Sequence, residues 1–276
     1  MNDQSYRWLD DPHWYLWEGG FLLIGRGQGV VPPHEHHAIQ IVIAIEGLVA
    51  ICGQDNQWRE GPGIIVRSDV VHSFDAQGSW GAMLFVDPES TEGSWLATTL
   101  GDDITMVPAA RLVSSVSELR TLAERGSEDG DISAVIRRCV QALTSGVPPK
   151  RRIDSRVTTV LNRIQASDEL RVSLESAAEM AFLSPSRFAH LFTHQMGLPF
   201  RRYVLWRKLT RAMVAIGSGQ PIGAAAHAAD FADAAHLTRT FYQMFGMAPS
   251  ALMRGQFAEI RSPFSAVEVR PGDPPR

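Results

Sequence analysis

The chain has 276 residues, 45 % of them hydrophobic and 20 % charged, a globular composition that excludes global disorder, collagen and coiled-coil rods. That length predicts one large domain or two ordinary ones. The net charge of −4 hides a division, because residues 1–149 hold nine basic and twenty acidic side chains (−11) and residues 150–261 hold fifteen and eight (+7). An acidic half followed by a basic half predicts two domains with different partners, the second suited to a polyanion. Cys52 and Cys139 are the only cysteines, too few for a disulfide framework or a zinc finger. They fit a reducing cytoplasm, with Cys52 read as a buried small hydrophobe. No basic and apolar leader opens the sequence, and no apolar run approaches the roughly 18 residues of a membrane helix. A cytoplasmic protein without a membrane partner is expected.

From Phe21 to Phe85, short apolar runs between glycine and polar turns predict the strands of a sandwich or small barrel. Residues 88–110 read as loop with at most short structure. Val113–Ala123 and Ile132–Leu143 have helical spacing, with apolar residues three and four apart. Such helices either cover a barrel or form a dimer seam. Gly146-Val147-Pro148-Pro149 then breaks the chain, and the domain boundary is placed there. Beyond it the texture is helical. Ser173 is an N-cap candidate before Leu174, and Ser184-Pro185 is a stronger helix start. Pro199 opens a long helix that Gly217-Ser218-Gly219 ends. Pro221 and Asp233 start two more helices, and residues 256–276 read as a flexible tail.

The helical half repeats itself. Phe192-Thr-His-Gln-Met-Gly197 matches Phe241-Tyr-Gln-Met-Phe-Gly246 at an offset of 49, and Leu174-Glu-Ser-Ala-Ala178 matches Ile222-Gly-Ala-Ala-Ala226 at an offset of 48. Each copy reads as short helix, tight turn, second helix, the helix-turn-helix plan. The stretches SLESAAEMAFLSPSRFAHLFTHQMGLPFRRYV and PIGAAAHAADFADAAHLTRTFYQMFGMAPSALM resemble the DNA-binding domain of AraC/XylS-type transcription regulators. The resemblance spans residues 150–255 and implies two helix-turn-helix units joined by a long helix near Phe200–Ile216. Asp230 stands where that family usually has glycine, and aspartate tolerates left-handed geometry better than most residues. Helical periodicity turns Ser186, Ala189 and His190 outward in the first recognition helix, with Arg187 at the edge, and Ala235, His236, Thr238 and Arg239 outward in the second. By resemblance these are base readers of double-stranded promoter DNA, arginine suiting guanine and alanine or threonine a thymine methyl. Arg201, Arg202, Arg207, Lys208 and Arg211 on the linker helix are candidates for phosphate contact, and ion pairing with the acidic domain competes for some of them.

His34-Glu35-His36-His37-Ala38-Ile39-Gln40 leads into a strand whose alternation puts His34, His36 and Gln40 on one face and His37 on the other. The pattern resembles the first cupin motif, with Gln40 at the acidic position and Gly47 as its glycine. Gly61 and His72 are spaced as in the second motif, with Arg67 and Asp69 replacing its proline and glycine. The resemblance implies an α+β protein: a cupin-type β-barrel over about 20–87, two helices over about 111–145, then the all-α domain. Residues 1–149 would sense a small-molecule or metal effector and dimerise. His34, His36, Gln40 and His72 would line the effector pocket or hold a divalent metal. Trp14, Trp17, Trp58, Trp80 and Phe74 are further pocket candidates. Family resemblance implies a homodimeric activator that contacts RNA polymerase. The rival reading is a cupin metalloenzyme fused to a DNA-binding domain. It lacks the acidic ligand, and phosphate-loop, nucleophile-elbow and His-Glu-x-x-His motifs are absent from the sequence, so no catalytic residue is assigned.

Overall fold

The computed structural model describes residues 7–10, 12–17, 19–88, 90–125, 132–144, 153–166, 172–196, 198–245, 247–253 and 256–259. The N-terminal half runs β1 (Arg7–Trp8), β2 (His13–Trp17), β3 (Gly20–Gln28), β4 (Val30–His34), β5 (Ile39–Glu46), β6 (Val49–Cys52), β7 (Trp58–Gly61), β8 (Gly63–Val66), β9 (His72–Asp75) and β10 (Trp80–Val86), then α1 (Thr91–Thr99), β11 (Ile104–Met106), α2 (Val113–Arg125) and α3 (Ile132–Leu143). The C-terminal half runs α4 (Ser155–Ala166), α5 (Leu174–Met180), α6 (Pro185–Met196), α7 (Phe200–Gly217), α8 (Ile222–Ala228), α9 (Ala234–Phe245) and β12 (Gln256–Glu259). Among the described residues no helix is long and apolar enough to cross a membrane.

The strands make two sheets rather than a closed ring. The larger follows the order β11-β8-β5-β10-β3-β2-β12, with β1 also on β3, and the smaller is β4-β9-β6-β7. Strand β5 shows why they stack. Its alternation puts Ala38, Val42 and Ala44 in one core with Val31, Ile51 and Phe74 of the smaller sheet. Ile39, Ile41, Ile43 and Ile45 fall on the opposite face, in a second core with Leu119, Leu122, Ile136, Cys139 and Val140 of α2 and α3. The expected cupin-type β-domain is thus built as two facing sheets, and the apolar stripes of α2 and α3 pack on the larger one. Both helices thus cover the larger sheet. Residues 88–110 carry more structure than expected, with α1 capped by Ser90, whose side chain accepts from the Gly93 amide. Gly47 turns the chain at φ +82°, where a Cβ would collide with the Ser79 hydroxyl, so only glycine fits. The domain boundary placed at 146–149 lies outside the described residues.

The helical half bears out the repeat at its element ends. α5 and α8 are offset by 48 residues at both ends, and α6 and α9 by 49. The single inserted residue thus lies in the turn. Ser173 caps α5 by accepting from the Ser176 amide. The Ser184 hydroxyl accepts from the Arg187 amide at 3.4 Å, and Asp233 from the His236 amide at 2.6 Å. Both turns close alike: Leu183 N–H donates to Ala178 O, and Phe231 N–H to Ala226 O, each at 2.9 Å. The left-handed residue is Asp230 (φ 59°) in the second turn and Phe182 (φ 54°) in the first.

The first unit packs around its own core of Val157, Val160, Ile164, Phe188, Phe192 and Phe200. The second does not. Trp206, Leu209, Met213, Leu237, Phe241 and Phe245 belong to the same core as Phe21, Val42 and Phe85 of the sandwich. Residues 256–259 contribute to the same attachment. Expected as part of a flexible tail, they pair as β12 with β2 in parallel, Phe257 opposite Trp14.

Candidate nucleic-acid interface and sensor site

Ser186, Arg187 and His190 on α6, and Ala235, His236 and Arg239 on α9, are exposed, while Ala189 and Thr238 are partly buried. The opposite sides of these helices are the buried Phe188, Phe192, Leu237, Phe241 and Phe245. Six of the eight residues that the sequence assigns to these faces are thus exposed. The His236 ring stands edge-on to Phe231 at 5.2 Å, which holds it at the start of α9.

The linker-helix cations divide. Arg201 is exposed. Arg202 reaches the acidic domain, with Nη1 3.1 Å from Asp69 Oδ1 and Nη2 3.4 Å from Glu35 Oε1. Lys208 donates to Asp230 O at 2.9 Å and so braces the second turn. Arg207 and Arg211 are partly buried. Arg202 and Lys208 thus make intramolecular contacts, and Arg202 reaches the acidic domain.

Three contacts seat the second unit on the sandwich. Phe245 lies edge-on to Phe21 at 5.5 Å and to Phe85 at 5.7 Å, and those two rings stack at 4.5 Å. Trp206 Nε1 donates to Asp87 Oδ2 at 3.1 Å, buried. The Arg202 pairs close the rim. Beside them a cavity of about 500 Å³ is lined by His34, His37 and Val71 from the sandwich and by Leu205, Tyr242 and Met244 from the helices.

The candidate effector-site residues converge. His34, His36 and His72 offer ligand nitrogens all within 4.8 Å of one another. Strand β4 ends at His34, which pairs with His72 of β9, while His36 and Gln40 flank the start of β5. Each Nδ1 lies against a backbone carbonyl: His34 against Pro32 O at 2.9 Å, His36 against Ala38 O at 2.8 Å and His72 against Val70 O at 2.8 Å. His36 Nε2 and His72 Nε2 converge on Gln40 Oε1 at 2.9 and 3.0 Å. Burial, with His36 adding repulsion, pulls His34 down to about 4 and His72 to about 2, and burial lowers His36 too. The rings are therefore neutral at pH 7, the form that ligates metals. The donor set fits a divalent ion such as zinc: neutral nitrogens, an amide oxygen and carbonyls that orient each ring.

His37 points away, as alternation requires, and pairs with Asp69 at 3.0 Å. Burial pushes the Asp69 carboxyl up, but the His37 hydrogen bond and the nearby His37 and Arg202 charges outweigh it and hold it low. Asp69 sits at φ 60°, the backbone a glycine would take at that place in the motif. Among the aromatic pocket candidates, Trp14, Trp17 and Phe74 are buried in the cores, and Trp58 is half exposed. Trp80 is covered by the Arg120 guanidinium at 5.4 Å. None of them lines the cavity. Cys52 is only partly buried, whereas Cys139 is fully so, which corrects the expectation for Cys52. Phe85, Asp87 and Trp206 were missed. Their roles come from contacts across more than a hundred residues, and no local pattern marks them.

Residues 177–255 match a family described as a helix-turn-helix domain. The chain is 24 % identical over 233 residues to a probable transcriptional regulator, LumQ, of Photobacterium leiognathi, covering 79 % of this chain and 90 % of that one. Its fold is similar to that of ToxT from Vibrio cholerae O395, with a TM-score of 0.53 at 10 % identity over 91 % of this chain and 98 % of ToxT. A crystal structure of unsaturated-fatty-acid-bound ToxT from strain SCE256 gives a TM-score of 0.54 at 11 % identity, over 92 % and 97 % of the two chains. The helical half thus carries a helix-turn-helix domain over residues 177–255. With the sheet-rich domain before it, the chain has the two-part architecture seen in ToxT.

Proposed function

We propose that this chain binds promoter DNA through both recognition helices and that its N-terminal sandwich senses an effector that resets how the second unit is held. The observation that carries this reading is the seat of α9. Its outer face is exposed where DNA would lie, and its inner face shares a core with the sandwich through Phe245. An effector that favours one seating over the other shifts DNA binding; one that does not discriminate shifts nothing. In this reading Arg187 and Arg239 read bases, with Ser186, Ala189, His190, Ala235, His236 and Thr238 at the same surface, and Arg201 takes phosphate. Action as a homodimeric activator through RNA polymerase belongs to the same proposal by family resemblance. The function is regulatory rather than catalytic.

Two effector chemistries have a place to act. A divalent metal suits His34, His36 and His72, whose neutral nitrogens converge. A small organic ligand suits the cavity of about 500 Å³ between sandwich and helices, and the similarity to fatty-acid-bound ToxT supports it. The test is to select operator sequences from random DNA with the full-length chain. Affinity for the selected site is then measured with and without Zn²⁺, and with and without a long-chain fatty acid. Selection of a defined site, and an affinity change with either compound, is the expected result. Absence of any selected site contradicts the DNA reading, and an affinity indifferent to both compounds contradicts these effector readings.

A further inference from the structure

We infer that Gln40 is the switch of the histidine cluster: its amide closes the site with hydrogen bonds when the site is empty, and it turns its carbonyl oxygen to a divalent transition metal when the three histidines bind one. This rests on the metal-sensing reading above and adds the regulation of that site.

The inference comes from counting protons. The carbonyls of Pro32, Ala38 and Val70 facing the three Nδ1 atoms can only accept. A neutral imidazole carries one N–H, so these contacts place it on Nδ1 and leave a lone pair on each Nε2. With Gln40 Oε1 at 2.9 Å from His36 Nε2 and 3.0 Å from His72 Nε2, lone pairs face lone pairs. Four oxygen-facing contacts need four protons, and two neutral rings hold two. Charging both rings would set two cations side by side in a buried site, with centroids 5.0 Å apart.

Two arrangements resolve the conflict. In the first, the amide turns about its last bond. Its two N–H groups then serve the two Nε2 atoms, and Oε1 lies on the side of Met83, whose sulfur is now 3.9 Å from the amide nitrogen. Both Nε2 lone pairs then receive a hydrogen bond without a metal. In the second, Oε1 stays and a divalent cation takes its lone pair and those of the three Nε2 atoms. His34 completes this set, since its Nε2 has no hydrogen-bond partner among the described residues and its ring borders the cavity. A glutamate at position 40 would support only the second state, because a carboxylate has no N–H to give and adds a negative charge for the ion. Glutamine makes the empty site stable as well, and so makes metal binding reversible.

The experiment uses the full-length protein labelled with ¹⁵N at glutamine side chains, titrated with zinc sulfate, beside Gln40→Glu and His72→Ala. One zinc per chain is expected in the wild type and lost in His72→Ala. The side-chain NH₂ signal absent from Gln40→Glu is expected to move on zinc addition, and Gln40→Glu to bind zinc about tenfold more tightly or more. Zinc bound by the wild type and lost in His72→Ala, with a Gln40 signal that stays in place and an unchanged affinity in Gln40→Glu, overturns the switch while leaving the metal reading. Failure of both wild type and Gln40→Glu to bind zinc overturns the metal reading itself. If Gln40→Glu does not fold, Gln40→Met supplies the signal assignment, and the wild-type shift decides.

Discussion

The two helix-turn-helix units are built on one plan and held in two ways. α5–α6 and α8–α9 have matching lengths, matching turn bonds and matching left-handed residues. Yet Phe192 of the first packs on Phe188, Phe200 and Tyr203 of its own unit, whereas Phe245 of the second packs on Phe21 and Phe85 of the sandwich. A repeated sequence thus yields one self-contained reader and one reader whose stability belongs partly to another domain. Only the second unit shares a core with the sandwich.

The largest effects should come from breaking the two cores. Phe192→Ala and Phe245→Ala each remove a buried ring and should cost about 3–5 kcal/mol. Hydrogen exchange should separate them. Phe192→Ala is expected to speed exchange in α4–α6 alone, and Phe245→Ala in α9 together with β3 and β10. Next come the readers. Arg239→Ala should weaken operator binding by about 1–3 kcal/mol and relax one base position if it reads guanine. A uniform loss across sequences, with a shallower salt dependence, would assign it to phosphate instead.

A similar effect of opposite sign is expected at Glu92, on α1 beside the Asp87 that accepts from Trp206. Burial raises its carboxyl to about 6, with Ser90 and Arg137 opposing and Asp87 assisting, and Oε1 has no hydrogen-bond partner among the described residues. An acid raised on folding is stabilising below its unfolded value and loses that stability as pH rises through the folded one. Glu92→Gln should therefore stabilise the protein at pH 7.5, by up to about 2 kcal/mol, and the gain should vanish near pH 4 in urea melts. The smallest effect belongs to Arg202→Ala. Its side chain is 44 % exposed, so loss of the pairs should cost at most about 1 kcal/mol. Operator binding should suffer less than in Arg201→Ala.

What the sequence revealed was whatever has a short period. Alternation put His34, His36 and Gln40 on one face, and helical spacing sorted Phe188 from His190 and Phe241 from Arg239. Self-similarity exposed the two units and even the one-residue insertion. What it concealed depends on distant partners. The Arg202 contact with Glu35 spans 167 positions and the Trp206 contact with Asp87 spans 119, and neither leaves a local signature. The docking of Phe245 was hidden for a related reason, since it and Phe192 occupy equally apolar faces and only the tertiary fold says what each face meets. The strand at 256–259 was missed because four residues pairing with β2 carry too little pattern to stand out from a tail. Phe182 escaped because a bulky residue is a poor sequence sign of left-handed backbone.

The central claim is that the second unit is stabilised as part of the sandwich and the first is not. Native-state hydrogen exchange of the full-length chain in increasing denaturant tests it most directly, since amides that open together share one free energy and one denaturant dependence. The account predicts that α9 merges with β3 and β10 into one opening unit while α6 opens separately. If α6 and α9 merge with each other and the sandwich strands open apart from both, the two units are one independent domain and the claim fails.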